Sequence, residues 1–370
     1  MTEKELIFFM PHIGFGGVEK NLYLITNFLS KKIKKIKICT LSNDKKKYFN
    51  KKIKFISLNK KVNEKLNLRL RFLICLYILF KYLVSNKNVV VFSFQANIYC
   101  VLLCKLLNVP IFARSNSSPA GWKHGFIKKF LYKKIMSNSK VIVTNSIYFK
   151  KQLLKIVNTK VICIYNPLDK KKIIQKSKEF NKNNFFKNYK EVKILSIGRL
   201  TDQKDQITLL KSLKILKKKN FKFRSLIIGS GGEREKLEKY INDNHLTKNV
   251  KLIGYSSNPF NILRSSDICV LTSKFEGLPN VLLEAATLKK FIISSDCYTG
   301  PREILQNGRG GFLFKVGDYQ DLAKKIIFYS NNKHKLKKRT NFAHKNLDRF
   351  DFEKRLTEYY LILKNYLIVR

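Results

Sequence analysis

Short apolar runs alternate with longer amphipathic segments along the whole chain. In the first half, the apolar runs that predict β-strands are residues 6–10, 37–41, 53–58, 89–94, 111–113, 141–144 and 161–165. The segments between most of these runs have apolar residues three or four positions apart, which is the spacing of an amphipathic helix. Strands separated by helices indicate a parallel sheet with right-handed crossover connections.

A second alternating series begins after residue 190. Its predicted strands are residues 192–197, 223–228, 250–253, 268–272, 291–294 and 312–314. The predicted fold class is therefore α/β, with two Rossmann-like, doubly wound domains facing a central cleft. We expect an N-terminal domain at residues 1–167 and a C-terminal domain at 191–345. Residues 168–190 are rich in Lys and Asn, which is typical of a linker, and a terminal helix within 346–370 is expected to pack back toward the N-terminal domain.

The charge of the chain is strongly positive. Its 75 Lys and Arg residues outnumber 25 Asp and Glu residues, for a net charge of +50, and no acidic residue occurs between Glu64 and Asp169. Such a field attracts anionic surfaces, such as phospholipid, polyphosphate lipid or nucleic acid. A codon bias toward Lys and Asn in an AT-rich genome is a second account, and both remain open.

Two predicted helices, residues 66–84 and 126–136, mix aliphatic and aromatic residues with Arg and Lys. This pattern fits a helix at a membrane interface, and it also fits a core helix with a solvated basic face. The longest apolar run, residues 72–80, is far shorter than the roughly 20 residues that span a bilayer. Because the N-terminus also lacks the apolar region of a secretory signal, we expect a cytoplasmic protein. If the two helices do lie at a membrane interface, we expect the protein at the inner face of the plasma membrane.

Residues 267–311 contain the densest candidate chemistry. A predicted strand is followed by a tight turn at Gly277 and by a helix that is predicted to begin at Pro279, since proline is favoured at the first helical position. The amides at this helix start are predicted to form an anion site, and they belong to Asn280, Val281 and Leu282.

Two carboxylates, Glu276 and Glu284, flank this predicted anion site. An anion site beside acids suits a ligand with both phosphate and hydroxyl groups, such as a nucleotide sugar. A surface loop with two solvated glutamates is the alternative. Near the N-terminus, Gly16 and Gly17 lie between a strand and a helix, which is a phosphate-approach arrangement, although the GxGxxG spacing is not met.

Several short motifs occur in a characteristic order. They are Gly198-Arg199-Leu200, Asp202 to Asp205, Gly229 with Gly231, Gly254, Asp267, Ser273 to Pro279, Glu284-Ala285 and Gly300 to Glu303. Together they resemble the GT-B glycosyltransferases of family 4, in which Glu276 and Glu284 would form the E-x7-E signature. Gly16 to Glu19 resembles the N-terminal GGxE loop of that family, and residues 165–167 resemble its interdomain element. Residues 20–140 resemble the family only in their alternation of strands and helices.

The resemblance implies a retaining transferase that moves a hexose or N-acetylhexosamine from a UDP-sugar. It implies that Arg199 and Lys204 stabilise the leaving diphosphate and that Glu276 lies beside the donor sugar, which makes these three the implied catalytic residues. Glu284 would accept from the ribose hydroxyls. The other implied donor contacts are Gly16, Gly17, Gly254, Tyr255, Gly277, Leu278, Asn280 and Val281.

The acceptor side is less well marked. Many relatives carry a His in the loop that corresponds to residues 113–116, where this chain has none, so Arg114, Asn116 and His124 remain as alternatives. Residues 296–303 resemble bacterial enzymes that act on lipopolysaccharide, O-antigen or lipid-linked oligosaccharide. The implied acceptor is an anionic glycolipid or a polyprenyl-diphosphate-linked glycan, and association with an anionic membrane is a further expectation.

No metal and no cofactor besides the donor are expected. The sequence has no DxD triad where a metal-dependent transferase needs one, and its seven cysteines show no zinc-ligand spacing, which indicates reduced thiols. Two rival functions stay open. One is an epimerase or phosphorylase of the same fold, and the other is a basic nucleic-acid-binding protein. No specific nucleic-acid partner is expected, because the basic residues are spread along the chain rather than gathered in a known motif.

Overall fold

The computed structural model describes residues 3–14, 16–58, 67–95, 97–116, 126–180, 183–297 and 299–368. The chain divides into two compact units. Residues 1–167 and 352–370 form the first unit, and residues 168–351 form the second. Each unit is built on its own parallel sheet, which confirms the α/β prediction.

The first unit contains a seven-stranded parallel sheet among its described residues. The strands are β1 (Glu5–Phe9), β2 (Ile36–Cys39), β3 (Lys54–Ile56), β4 (Val89–Ser93), β5 (Ile111–Ser115), β6 (Val141–Thr144) and β7 (Val161–Cys163), in the order β3-β2-β1-β4-β5-β6-β7. The helices between them are α1 (Gly17–Leu29), α2 (Leu68–Ser85), α3 (Asn97–Leu106), α4 (Phe126–Met136) and α5 (Ile147–Leu154). The strand order reverses beside β1, which is the doubly wound arrangement.

Both faces of this sheet are buried, and alternate residues of each strand point to opposite faces. Leu6 and Phe8 of β1 pack in one cluster with α1 and with the terminal helix, residues 352–367. Ile7 and Phe9 pack in a second cluster with α2, α3, α4 and α5. Because both faces are covered, the strands have continuous apolar sequences rather than alternating ones.

The second unit contains a parallel sheet of six strands in the part that the structure describes. They are β8 (Val192–Ile197), β9 (Phe223–Ile228), β10 (Val250–Leu252), β11 (Ile268–Leu271), β12 (Phe291–Ser295) and β13 (Phe312–Phe314), in the order β10-β9-β8-β11-β12-β13. Its helices are α6 (Lys170–Ser177), α7 (Gln206–Lys218), α8 (Arg234–Asp243), α9 (Phe260–Ser265), α10 (Asn280–Thr287), α11 (Gly300–Ile304), α12 (Tyr319–Asn331) and α13 (Lys333–Lys345). The terminal helix is α14 (Phe352–Leu367) and is part of the first unit.

The structure differs from the predicted elements mainly at lysine-rich helices. The segment predicted as a linker, residues 168–190, begins with α6 and is part of the second unit. The carboxylate of Asp169 caps α6 by accepting a hydrogen bond of 2.9 Å from the Lys172 amide, and α6 packs against α9. Helices α5 and α13 were also not predicted.

No helix in the described part of the chain is both long enough and apolar enough to cross a bilayer. The predicted helix at 66–84 corresponds to α2, which begins at Leu68 and ends at Ser85, and the predicted helix at 126–136 corresponds to α4. Both helices bury one side against the sheet of the first unit.

Candidate functional site

Two ion pairs join the loop after β8 to the loop after β11. Lys204 Nζ lies 2.5 Å from Glu276 Oε1, and Lys274 Nζ lies 2.5 Å from Asp202 Oδ1. The first pair is mostly buried, whereas the second is exposed. Strands β8 and β11 are neighbours in a parallel sheet, so both loops leave the same carboxyl edge, which is the edge where ligands bind in doubly wound folds.

The carboxylate of Glu276 is held by more than its ion pair. Ser273 Oγ donates to Glu276 Oε1 over 2.7 Å, so this oxygen receives both a hydroxyl and an ammonium donor. Thr299 Oγ1 donates to the backbone oxygen of Glu276 over 2.5 Å. Glu276 is therefore fixed in position by three side chains.

The two glutamates of the E-x7-E motif are both buried, with 7% of Glu276 and 8% of Glu284 exposed. The alternative of a surface loop with two solvated glutamates was therefore wrong. Each carboxylate lies near a buried cysteine. Burial raises the pKa of Cys297 to about 12 with a contribution from the charge of Glu276, and burial raises the pKa of Cys269 to about 12 with a contribution from Glu284.

Glycines allow the loops at this edge to pack backbone against backbone. A Cβ atom on Gly300 would lie 2.1 Å from the Gly277 oxygen and 2.7 Å from the Leu278 Cα atom. A Cβ atom on Gly229 would lie 1.8 Å from the oxygen of Gly198. Any larger residue would push these loops apart, so these motif glycines serve close approach of the backbone.

The loop after β8 is ordered by its own polar side chains. Gln206 Nε2 donates to the Arg199 oxygen over 2.8 Å, and Thr208 Oγ1 donates to Asp205 Oδ2 over 2.7 Å. Asp205 adopts the left-handed conformation (φ 48°) between a short 3₁₀ turn and α7, and burial raises the pKa of its carboxyl. The backbone under Arg199 is thus fixed, while the Arg199 side chain is exposed.

Helix α10 starts one residue later than predicted. Pro279 precedes the helix, with ψ at 111°, and the first helical residue is Asn280. The Leu282 amide donates to the Pro279 oxygen over 3.1 Å, so the prediction that this amide points out of the helix start was wrong. Asn280 and Val281 are half-buried at the first turn.

Two of the other predicted donor contacts also lie in the second unit. Gly254 has a φ of +74° and its backbone oxygen accepts a hydrogen bond of 2.8 Å from the Gly229 amide, which holds the loop after β10 against the loop after β9. Tyr255 is exposed beside it.

The glycine loop of the first unit precedes α1. Gly17 is the first residue of α1, and Gly16 lies directly before it. A Cβ atom on Gly16 would lie 2.6 Å from Glu19 Oε2, so the glutamate of the GGxE motif folds back over the glycine.

The predicted acceptor residue Arg114 is fully buried at the end of β5. Its Nε donates to Tyr359 Oη over 3.0 Å, its Nη2 donates to Asn166 Oδ1 over 2.8 Å, and its Nη1 donates to Asn116 Oδ1. The guanidinium also lies over the Phe94 ring, 5.3 Å from its centroid. Arg114 therefore joins β5, residues 165–167 and α14. His124 lies outside the described residues.

The sequence reasoning gave no role to three residues that hold Glu276 or Arg114 in place, namely Ser273, Thr299 and Tyr359. Ser273 and Thr299 follow apolar strands as small hydroxyl residues, and this position at the carboxyl edge was a usable signal. Tyr359 had no such signal, because it is separated by 245 positions from Arg114. In the described ranges of the chain, no group of three or more His, Cys, Asp and Glu side chains is positioned to hold a metal ion.

Comparison with known proteins identifies the family of one region of the chain. Residues 177–346 match the family described as Glycosyl transferases group 1. These residues belong to that family. They include both glutamates of the E-x7-E motif, Arg199 and Lys204, so the ordered edge described above lies inside the group 1 glycosyltransferase region.

Individual relatives agree with this assignment. An uncharacterized glycosyltransferase of Methanocaldococcus jannaschii is 34% identical over 197 residues, which are 51% of this chain and 48% of that protein, so the chain spans about half the length of this relative. An α-1,4-N-acetyl-D-galactosaminyltransferase of Campylobacter jejuni, whose name specifies a PP-undecaprenol-linked glycan, is 26% identical over 281 residues, or 73% of each chain.

Solved structures show the fold. HepE of Anabaena, crystallised with UDP, has a TM-score of 0.77 to this chain at 15% identity and covers 98% of this chain and 100% of its own. The fold of the chain is GT-B, as predicted.

We predict strong energetic coupling between Lys204 and Glu276. In a double-mutant cycle with Lys204→Met and Glu276→Gln, the coupling in the free energy of unfolding should be about 1–3 kcal/mol, because the two groups are in contact and shielded from water. Urea unfolding measures it. The matched control is the cycle of Asp202→Asn and Lys274→Met. This exposed ion pair joins the same two loops and should show no measurable coupling. Equal coupling in both cycles would contradict the prediction.

We also predict that Tyr359→Phe destabilises the first unit by about 1.5–3 kcal/mol, since it removes the acceptor of a hydrogen bond from a buried charged group. Differential scanning calorimetry measures the loss. The control is Tyr360→Phe on the same helix, where the ring faces Lys32 and should lose little. If both variants melt alike, Tyr359 does not hold Arg114 in solution.

Proposed function

We propose that the protein is a glycosyltransferase that moves a hexose or N-acetylhexosamine from a UDP-sugar to a lipid-linked or lipopolysaccharide-type glycan. The observation that carries the proposal is the buried carboxylate of Glu276, fixed by Lys204 and Ser273 at the carboxyl edge of the second sheet. This carboxylate lies within the residues that match the group 1 family. The UDP bound to HepE and the undecaprenol-linked glycan in the name of the Campylobacter relative support the donor and acceptor classes.

In this proposal the second unit binds the donor. The Lys204 ammonium has three N–H donors, of which Glu276 accepts one, so a second can be given to a diphosphate oxygen. Arg199, exposed on an ordered loop, adds a second positive charge for the leaving UDP. Glu276 faces the donor sugar, and Glu284 accepts from the ribose hydroxyls. The remaining donor contacts in this unit are Gly254, Tyr255, Gly277, Leu278, Asn280 and Val281.

We further propose that the transfer retains the anomeric configuration and needs no metal ion. Residues 65–167 of the first unit contain no carboxylate that can act as a nucleophile. The acceptor hydroxyl therefore attacks the anomeric carbon on the face from which UDP departs, and a phosphate oxygen of UDP takes the proton. The charges of Lys204 and Arg199 and the start of α10 offset the charge of the leaving diphosphate.

On the acceptor side, Asn116 and His124 are the proposed contacts. Arg114 would act through Asn116, because its guanidinium already binds Asn116, Asn166 and Tyr359. A lipid-linked acceptor implies a reaction at the cytoplasmic face of the membrane.

The first test is a thermal-shift screen with UDP, GDP and ADP. UDP alone should raise the melting temperature by several degrees, and Glu284→Gln and Arg199→Ala should each abolish the shift. The matched controls are the exposed residues Glu235 and Arg264 of the same unit, for which Glu235→Gln and Arg264→Ala should keep it. If no nucleotide shifts the melting temperature while an RNA oligomer does, the protein is a nucleic-acid binder and not a transferase.

Metal independence and retention are tested on the reaction itself. UDP release from a UDP-sugar with a glycolipid acceptor should continue in EDTA at an unchanged rate, because protein groups stabilise the leaving diphosphate. Proton NMR of the product should show the anomeric configuration of the donor. Loss of turnover in EDTA that Mg²⁺ or Mn²⁺ restores, or an inverted product, would contradict this part of the proposal.

A further inference from the structure

Three neighbouring helices of the first unit expose large apolar side chains. Helix α3 contacts both α2 and α4, and all three bury their inner sides in the same core cluster. The exposed residues are Leu70, Leu73, Tyr77, Phe80 and Val84 of α2, Tyr99, Leu102 and Leu106 of α3, and Phe130 and Leu131 of α4. We call this surface the α2–α4 face.

The exposed residues of α2 recur at intervals of three and four positions, so they form one stripe along its outer side. Leu73 is 58% exposed and Tyr77 is 56% exposed, while Cys75 and Leu79 on the inner side are fully buried. A helix packed on a core normally turns polar residues to water. A helix that is apolar on both sides indicates that its outer side is covered by something else.

The charge of the α2–α4 face has a single sign. Its exposed charged residues are Arg69, Lys81, Lys105, Lys129, Lys133 and Lys134. The sequence has no acidic residue from 65 to 168, so none of the three helices carries a carboxylate of its own. On the opposite side of the same sheet, α1 and α14 carry Glu19, Glu353 and Glu358. Basic residues without any carboxylate, combined with a stripe of exposed apolar residues, are thus found on the α2–α4 side, whereas α1 and α14 carry residues of both charges.

We propose that the α2–α4 face docks on an anionic lipid bilayer, with the three helices lying in the interface. Apolar side chains enter the acyl boundary while the lysine and arginine side chains reach the anionic headgroups. A second copy of the chain fits poorly, because two such faces would repel each other without a carboxylate to pair with. Nucleic acid would use the positive charges but would leave the aliphatic stripe in water.

This inference deepens the proposed function, and it rests on that function for the membrane-bound acceptor that would give docking its purpose. The surface itself is independent of the donor site, because all of its residues belong to the first unit and the donor residues Arg199, Lys204 and Glu276 belong to the second. Lipid binding and nucleotide binding can therefore be measured separately on the same variants.

The test is co-sedimentation of the full chain with vesicles of phosphatidylcholine alone or mixed with phosphatidylglycerol. The protein should bind the anionic vesicles and not the neutral ones. Leu73→Gln with Leu102→Gln should weaken binding by roughly ten-fold or more, since two apolar side chains no longer enter the bilayer. A triple variant, Lys105→Gln, Lys133→Gln and Lys134→Gln, should weaken it on the order of 100-fold.

Matched controls remove the same groups elsewhere. Leu361→Gln with Ile174→Gln replaces two exposed aliphatic residues outside the face, and Lys335→Gln, Lys337→Gln and Lys338→Gln removes three charges from α13. Both controls should bind vesicles like the wild type. An equal loss in the lysine control would show that net charge alone causes binding and would overturn the proposal.

Other results would also overturn it. The first is a wild-type protein that binds neither kind of vesicle. The second is a protein that binds RNA but no vesicles and loses RNA binding in the triple lysine variant. The third is a protein that binds no vesicles but forms a dimer, which the paired leucine variant dissociates. A melting temperature and a far-ultraviolet circular dichroism spectrum like those of the wild type verify the fold of every variant. Vesicle binding by a wild type that gives no UDP shift would support the docking face and refute the donor proposal, so the two failures are distinguishable.

Discussion

The ion pair between Lys204 and Glu276 is the interaction on which the rest of the site depends. It joins two loops that are 72 positions apart in sequence and that leave neighbouring strands at the same edge of the sheet. Removing either charge would leave the other buried and unpaired, which would destabilise the contact between the two loops. The motif glycines bring further loops of this edge together, because Gly300 lets the loop after β12 approach the loop after β11 and Gly229 lets the loop after β9 approach the loop after β8.

The elements that the sequence predicts best are the β-strands that are buried on both faces of a sheet. Strands such as β6, β8 and β9 are continuous apolar runs, and their observed bounds are the predicted ones. Helix α6 could not be predicted in the same way, since its lysine-rich sequence shows little apolar periodicity and its stability comes from the Asp169 cap and from packing on α9. Tertiary contacts decided that element, and local sequence does not contain them.

In the candidate site, too, some features could be predicted from the sequence and others could not. Glu276, Glu284, Arg199 and Lys204 were predictable from motif order, because each motif is a short piece of backbone with its own geometry. The partner of each charge was not predictable. Lys204 binds Glu276 and Lys274 binds Asp202, and a chain with 75 basic residues offers no sequence rule for choosing between them. The burial of Arg114 was equally hidden, since its acceptor Tyr359 is contributed by the last helix.

The return of α14 to the first unit has a consequence for synthesis. Tyr359 and Leu363 complete the core cluster that Leu6 and Phe8 begin, so residues near the two ends of the chain close one core. The whole second unit is translated between those two events, which at ribosomal rates takes about 10–40 s. During that time Arg114 lacks the acceptor that Tyr359 supplies, and one face of the first sheet lacks a covering helix. The core of the first unit can therefore be completed only after the whole second unit has been synthesised, although most of the first unit is encoded earlier.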